Sequence, residues 1–108
     1  MSFLEVKMEQ AQQYFDMARQ AMEEKAHVAR VVYGGLGALL STSAEESTRA
    51  VEALMEYGSI PKKPIDRLAT YHLARYIVSV KSLGGTLDTK VQQLIEKTNL
   101  EADKNATA

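Results

Sequence analysis

Leu4, Met8, Ala11, Phe15, Ala18, Met22, Lys25, Ala29, Val32, Leu36 and Leu39 follow one another at intervals of four and three residues without a slip. A strand, with its period of two, would scatter these positions over both of its faces. An α-helix gathers them on one stripe, in coiled-coil register. The spacing predicts one long N-terminal helix from about Phe3 to Leu40. Ala11, Ala18 and Ala29 are small and admit a close partner, whereas Lys25 interrupts the seam. Tyr14, Met17, Ala21 and Val28 form a second stripe beside the first. The apolar surface is therefore wider than a two-stranded seam, which favours a bundle. Leu4, Met8, Ala11, Phe15, Ala18 and Met22 are the expected oligomer seam.

The helix ends in its least ordinary stretch, Val31-Val32-Tyr33-Gly34-Gly35-Leu36-Gly37-Ala38-Leu39-Leu40. Three glycines in four positions cost a helix about 1 kcal/mol each relative to alanine, so something must offset them. A phosphate cradle would need a preceding strand and a different glycine spacing. Two readings remain open for Gly34, Gly35 and Gly37. They form a close-packing surface for another helix, or they form a hinge at which the helix bends. Val31, Val32, Tyr33, Leu36, Leu39 and Leu40 are the candidate contacts to a surface or partner.

Ser41-Thr42-Ser43-Ala44-Glu45-Glu46 reads as a stop followed by a start. Ser43 with Glu46, and Thr42 with Glu45, have the capping-box spacing. A second helix is predicted to run to about Tyr57, with Val51, Leu54 and Met55 inward and Gly58 as its C-terminal cap. Pro61 and Pro64 make the next segment a connector. A third helix begins at Pro64, with Ile65, Leu68, Ala69, His72, Leu73, Tyr76, Ile77, Val80 and Leu83 as its expected apolar face. Gly84-Gly85 ends it. A fourth, from Thr86 or Asp88, carries Leu87, Val91, Leu94 and Ile95. Apolar residues run out after Leu100, so residues 101–108 are expected to fray. The fold class is all-α: a long N-terminal helix and three shorter ones, in a single domain over residues 1–100, with the bundle completed by oligomerisation.

The chain has 108 residues, enough for one domain with a small core. Its 45% apolar and 25% charged content argues against disorder of the whole chain. Thirteen basic and fourteen acidic residues leave a formal charge of −1, with no basic excess to attract nucleic acid. Without cysteine there are neither disulfides nor thiolate metal ligands, which suits a cytoplasmic protein. The N-terminus lacks the layout of a signal peptide. The nearly uncharged run from Val31 to Ala44 falls short of the ~20 apolar residues of a spanning helix.

No catalytic constellation emerges. His27 follows Glu23 by four residues, but no third ligand accompanies the pair. His72 is expected on an apolar face, partly buried near Tyr71 and Tyr76, without a nucleophile and base around it. Ser41, Thr42 and Ser43 are accounted for as caps. Lys62-Lys63 is too small a basic patch for specific nucleic-acid binding. Five tyrosines suit boundaries between apolar and wet surroundings. We expect no enzymatic activity, cofactor or metal.

Ala29-Arg30-Val31-Val32-Tyr33-Gly34-Gly35-Leu36-Gly37-Ala38, then Glu45-Glu46, then Val51-Glu52-Ala53-Leu54-Met55-Glu56-Tyr57-Gly58, resembles the phasin family of polyhydroxyalkanoate granule-associated proteins. The resemblance spans roughly residues 27–58, with a fainter likeness over 87–100. Members carry a glycine-leucine-glycine-alanine segment after an aromatic-containing helical run, then an acidic pair and an Ala-Leu helix ending near glycine. The lysine- and alanine-rich tail through which some members bind DNA is absent here. The resemblance implies a non-enzymatic coat protein on storage-polyester granules in a bacterial cytoplasm. Amphipathic helices would hold it on the polymer and be hidden in an oligomer otherwise. The alternative is a helical oligomerisation or adaptor module that binds another protein through the same kind of face.

Overall fold

A computed structural model describes the backbone of residues 3–107 and the side chains of residues 9–104. The described residues are all-helical: α1 (Phe3–Glu23), α2 (His27–Leu40), α3 (Ala44–Gly58), α4 (Pro64–Lys81) and α5 (Gly85–Thr107). Each helix packs on its neighbours in the chain, and α2 also touches α4. The result is a flat slab with principal extents of 57 × 33 × 14 Å.

Five helices replace the expected four because the N-terminal stretch breaks at Lys25. There the backbone turns left-handed, with φ 60°. The Ala26 N–H donates to the Ala21 carbonyl at 2.9 Å, and the Lys25 N–H to the Met22 carbonyl at 3.2 Å. These are the two bonds of a Schellman closure, built on lysine where glycine is usual. The chain then doubles back, and α2 packs on α1. The 4–3 spacing runs straight through the break, because two helices joined by a short turn can each keep their register. Ala11, Ala18 and Ala21 are buried on α1, and the Ala11 carbonyl stands against Gly37 of α2. Ala11 and Ala18 are thus covered within one chain and not left open to an oligomeric partner. Leu4 and Met8 lie outside the residues whose side chains are described.

The α2–α3 corner is tied by hydroxyls. The Ser43 side chain caps α3 by accepting from the Glu46 N–H at 3.3 Å. The Ser41 hydroxyl donates to the Glu46 carboxylate at 3.0 Å. Ser47, buried on α3, donates to the Ala38 carbonyl near the end of α2 at 3.0 Å. Lys81 reaches from α4 to the Ser41 carbonyl at 2.8 Å. Carbonyls orphaned at a helix end are thus satisfied by the next two helices.

The core lies among α3, α4 and α5: Val51, Leu54, Tyr71, Ala74, Ile77, Val91 and their neighbours, with Ala38 from α2. Val51 and Leu54 are fully buried and Met55 is half-buried. Gly58 is the last residue of α3, but the cap that follows, Ser59, is right-handed. What requires glycine there is the Tyr71 ring, which takes the space of a Cβ. The second Schellman closure ends α4 at Ser82, φ 53°, ahead of Gly84. Beyond Leu100 the chain stays helical to Thr107. Arg67 of α4 donates to the Glu101 carboxylate at 2.6 Å and ties that last stretch to the body.

The inward face of α4 differs from the expected one. Thr70, Tyr71, Ala74, Ile77 and Val78 are buried, whereas Ile65, Ala69, His72, Tyr76 and Val80 are exposed. This helix carries two apolar arcs. Packing chose the one with small residues, Thr70 and Ala74, which let α4 approach its neighbours closely.

Candidate interaction surface

Helix α2 meets α1, α3 and α4 on successive sides. The Gly37 side lies under the Phe15 ring and the Ala11 carbonyl of α1. A Cβ on Gly34 would touch Leu54 and Tyr57 of α3 at 3.5 and 3.8 Å. A Cβ on Gly35 would meet Leu73 of α4 at 3.0 Å. The helix runs unbroken through these glycines. The missing side chains of Gly37 and Gly35 let α1 and α4 come close to α2, and the chain bends at Lys25 instead.

Crowding on three sides leaves one side of α2 outward. Val28 is 74% exposed, Val32 46% and Leu36 37%. Leu39 and Leu40 are half-buried, and Leu39 packs against the core. Val31 turns toward α4 and Tyr33 toward α1, where it stacks on Tyr14 with ring centroids 6.3 Å apart. The six candidate contacts therefore divide: Val32 and Leu36 face out, and the other four are shared with neighbouring helices. On α1, Phe15 is half-buried and Met22 is exposed.

Arg30 is the one acidic or basic residue of α2, apart from the weakly basic His27, and it points inward. It is 5% exposed, its guanidinium lies 5.5 Å from the Tyr57 ring centre, and its Nε has no hydrogen-bond partner. A face-on aromatic ring offers a cation partial compensation for lost water. The consequence is an outward arc of α2 without charge.

A groove of about 420 Å³ runs between α2 and the start of α4, lined mainly by Val28, Val31, Val32, Ile60, Pro61 and Ala69, with Asp66 at its wall. His27 closes one end, its Nε2 3.5 Å from the Thr70 hydroxyl. Burial pushes the His27 imidazole below its ordinary value, the Arg30 charge pushes it the same way, and Asp66 opposes both. The neutral form is favoured, and the ring lies against Thr70 of α4. Among the described residues, no three His, Cys, Asp or Glu side chains cluster as a metal would require. His72 stands exposed on α4, not partly buried. Ser41 and Ser43 are engaged in the helix corner described above. Among the described residues, no helix is long and apolar enough to cross a membrane.

The exposed apolar residues of α4 extend the α2 surface: Ile65 at 72%, Tyr76 at 58% and Val80 at 53%, with Ile60 of the connector at 50%. Sequence reasoning placed these α4 residues in the core. The signal that could have moved them out is the excess of apolar positions on α4 over what one buried face accommodates.

Comparison of the chain with family models, curated proteins and solved structures gives no match.

Proposed function

We propose that this chain is a non-enzymatic structural protein of the cytoplasm that coats hydrophobic storage-polyester granules, as the resemblance to phasins implies, and that it meets the polymer with the outward face of α2. The observation that supports this is the charge-free outer arc of α2, where Val28, Val32 and Leu36 are exposed and Arg30 is turned inside. A charge pressed against a hydrophobic surface loses hydration, so a face without charge is the one that can adsorb. Adsorption then gains about 25 cal/mol per Å² of apolar area covered.

The test is co-sedimentation of the purified protein with polyester particles and with polystyrene beads. The wild type is expected in the pellet with both. The double substitution Val32→Asp and Leu36→Asp is expected to lower the bound fraction at least tenfold while the chain stays folded, with a melting temperature lowered by only several degrees because both side chains are partly exposed. A wild type that stays in the supernatant with both surfaces overturns the reading.

The groove between α2 and α4 favours a second reading, an adaptor module. Its apolar lining suits the side chains of a helix from another protein. Such a module would leave the particles unbound and take up a peptide partner at micromolar concentration.

A further inference from the structure

We infer that the outward stripe of α4 is the interface of an antiparallel homodimer. The inference uses the same apolar side of the slab as the granule-coat reading and names a second copy of the chain as its occupant when no polymer is present.

Ile65, Ala69, His72, Tyr76 and Val80 follow one another at intervals of four, three, four and four residues. They lie along one side of α4, and all five are exposed. This is the spacing of a helix that packs lengthwise on another helix. The stripe is self-complementary about its middle. Laid antiparallel on a copy of itself, with the two-fold axis at His72 and Leu73, it sets Ile65 against Val80 and Ala69 against Tyr76. A large ring thus faces the smallest side chain of the stripe, twice over, as an isologous interface requires. None of the five carries a fixed charge. Arg75 stands at one edge, where the two-fold axis would bring it near its copy, but Asp88 of α5 already holds it at 3.4 Å.

Area points the same way. A stable complex buries about 800 Å² per partner. Val28, Val32, Leu36, Ile60, Ile65, Tyr76 and Val80 are each between 37% and 74% exposed. At about 100 Å² apiece they supply on the order of 700 Å², more than the ~300–600 Å² apolar patch of an ordinary monomer. The stripe of α4 with the flanking face of α2 therefore comes close to what a dimer needs.

The chain has no cysteine, so single cysteines report the register directly. His72→Cys, Ile65→Cys and Val80→Cys are made in the full chain and treated with a short bis-maleimide. His72→Cys, beside the two-fold axis, is expected to cross-link to itself. Ile65→Cys alone and Val80→Cys alone are expected to stay uncoupled, because about 22 Å of helix separates each from its own copy. Their mixture is expected to couple. Sedimentation velocity of the wild type at about 100 μM is expected to give the dimer mass. A monomer at that concentration overturns the inference, as does self-coupling of Ile65→Cys faster than coupling in the mixture. No polymer is present in these assays, so they succeed or fail independently of granule binding.

Discussion

The ring of Phe15 occupies the place that a Cβ on Gly37 would need, and the Ala11 carbonyl oxygen stands 3.2 Å from the same point. A helix backbone and an aromatic ring from α1 thus both depend on a hydrogen atom in α2. Gly37→Ala would gain about 1 kcal/mol of helix propensity. It would also force the ring and the α1 backbone aside, at about 1–3 kcal/mol. Net destabilisation is expected. Gly34→Ala, whose Cβ would find ordinary contacts with Leu54 and Tyr57, is expected to stabilise by up to about 1 kcal/mol. Urea unfolding of the two variants gives opposite signs on this account. A stabilised Gly37→Ala would remove the close-packing role.

Lys25 supports a second expectation. Its left-handed backbone costs a residue with a Cβ about 1–2 kcal/mol, and both closing hydrogen bonds come from backbone N–H groups. Lys25→Gly keeps those bonds and removes the steric cost. Glycine's greater freedom in the unfolded chain returns part of the gain. A net stabilisation of about 0.5–1 kcal/mol is expected in urea unfolding.

His27 makes stability depend on pH. Its imidazole binds a proton less readily folded than unfolded, because it is partly buried and close to Arg30. The unfolded chain therefore takes up the proton first as pH falls below the ordinary value of 6.5. The stability contributed by neutral His27 is full above that pH and declines through the interval below it, until the folded form protonates too. The melting temperature is expected to drop between pH 7 and pH 5.5. His27→Gln is expected to flatten that slope, and equal slopes for the two proteins would exclude His27 as its source.

Fold class was legible in the spacing of residues such as Val51, Leu54, Val91 and Ile95, because a single buried arc on α3 and on α5 leaves the period no choice. Element boundaries and buried faces were misplaced at two points, for definite physical reasons. The break at Lys25 carries no glycine or proline, and its Schellman geometry is set by the α1–α2 packing it allows, which no local pattern records. On α4 both arcs are apolar, so periodicity could not tell Tyr71, Ala74 and Val78 from Ile65, Tyr76 and Val80. The glycine run stood out in the sequence as an anomaly, but its neighbours Phe15, Leu54, Tyr57 and Leu73 come from three other helices and could not be read from it. Nothing in the local pattern marks Arg30 as buried. Its inward turn, which leaves the outer arc of α2 without charge, depends on the Tyr57 ring, 27 positions further along the chain.

Helix α1, set apart by the closure at Lys25, is expected to open before the rest of the molecule. Among its described side chains only Ala11, Ala18 and Ala21 are buried, and each alanine covers little surface. The large buried residues belong to α3, α4 and α5. Amide hydrogen exchange should therefore divide the chain into two regimes. Amides of α1 exchange through a local opening that leaves the other helices folded, and amides of α3 to α5 exchange only when the whole chain unfolds. Each such opening uncovers the glycine side of α2 for as long as it lasts.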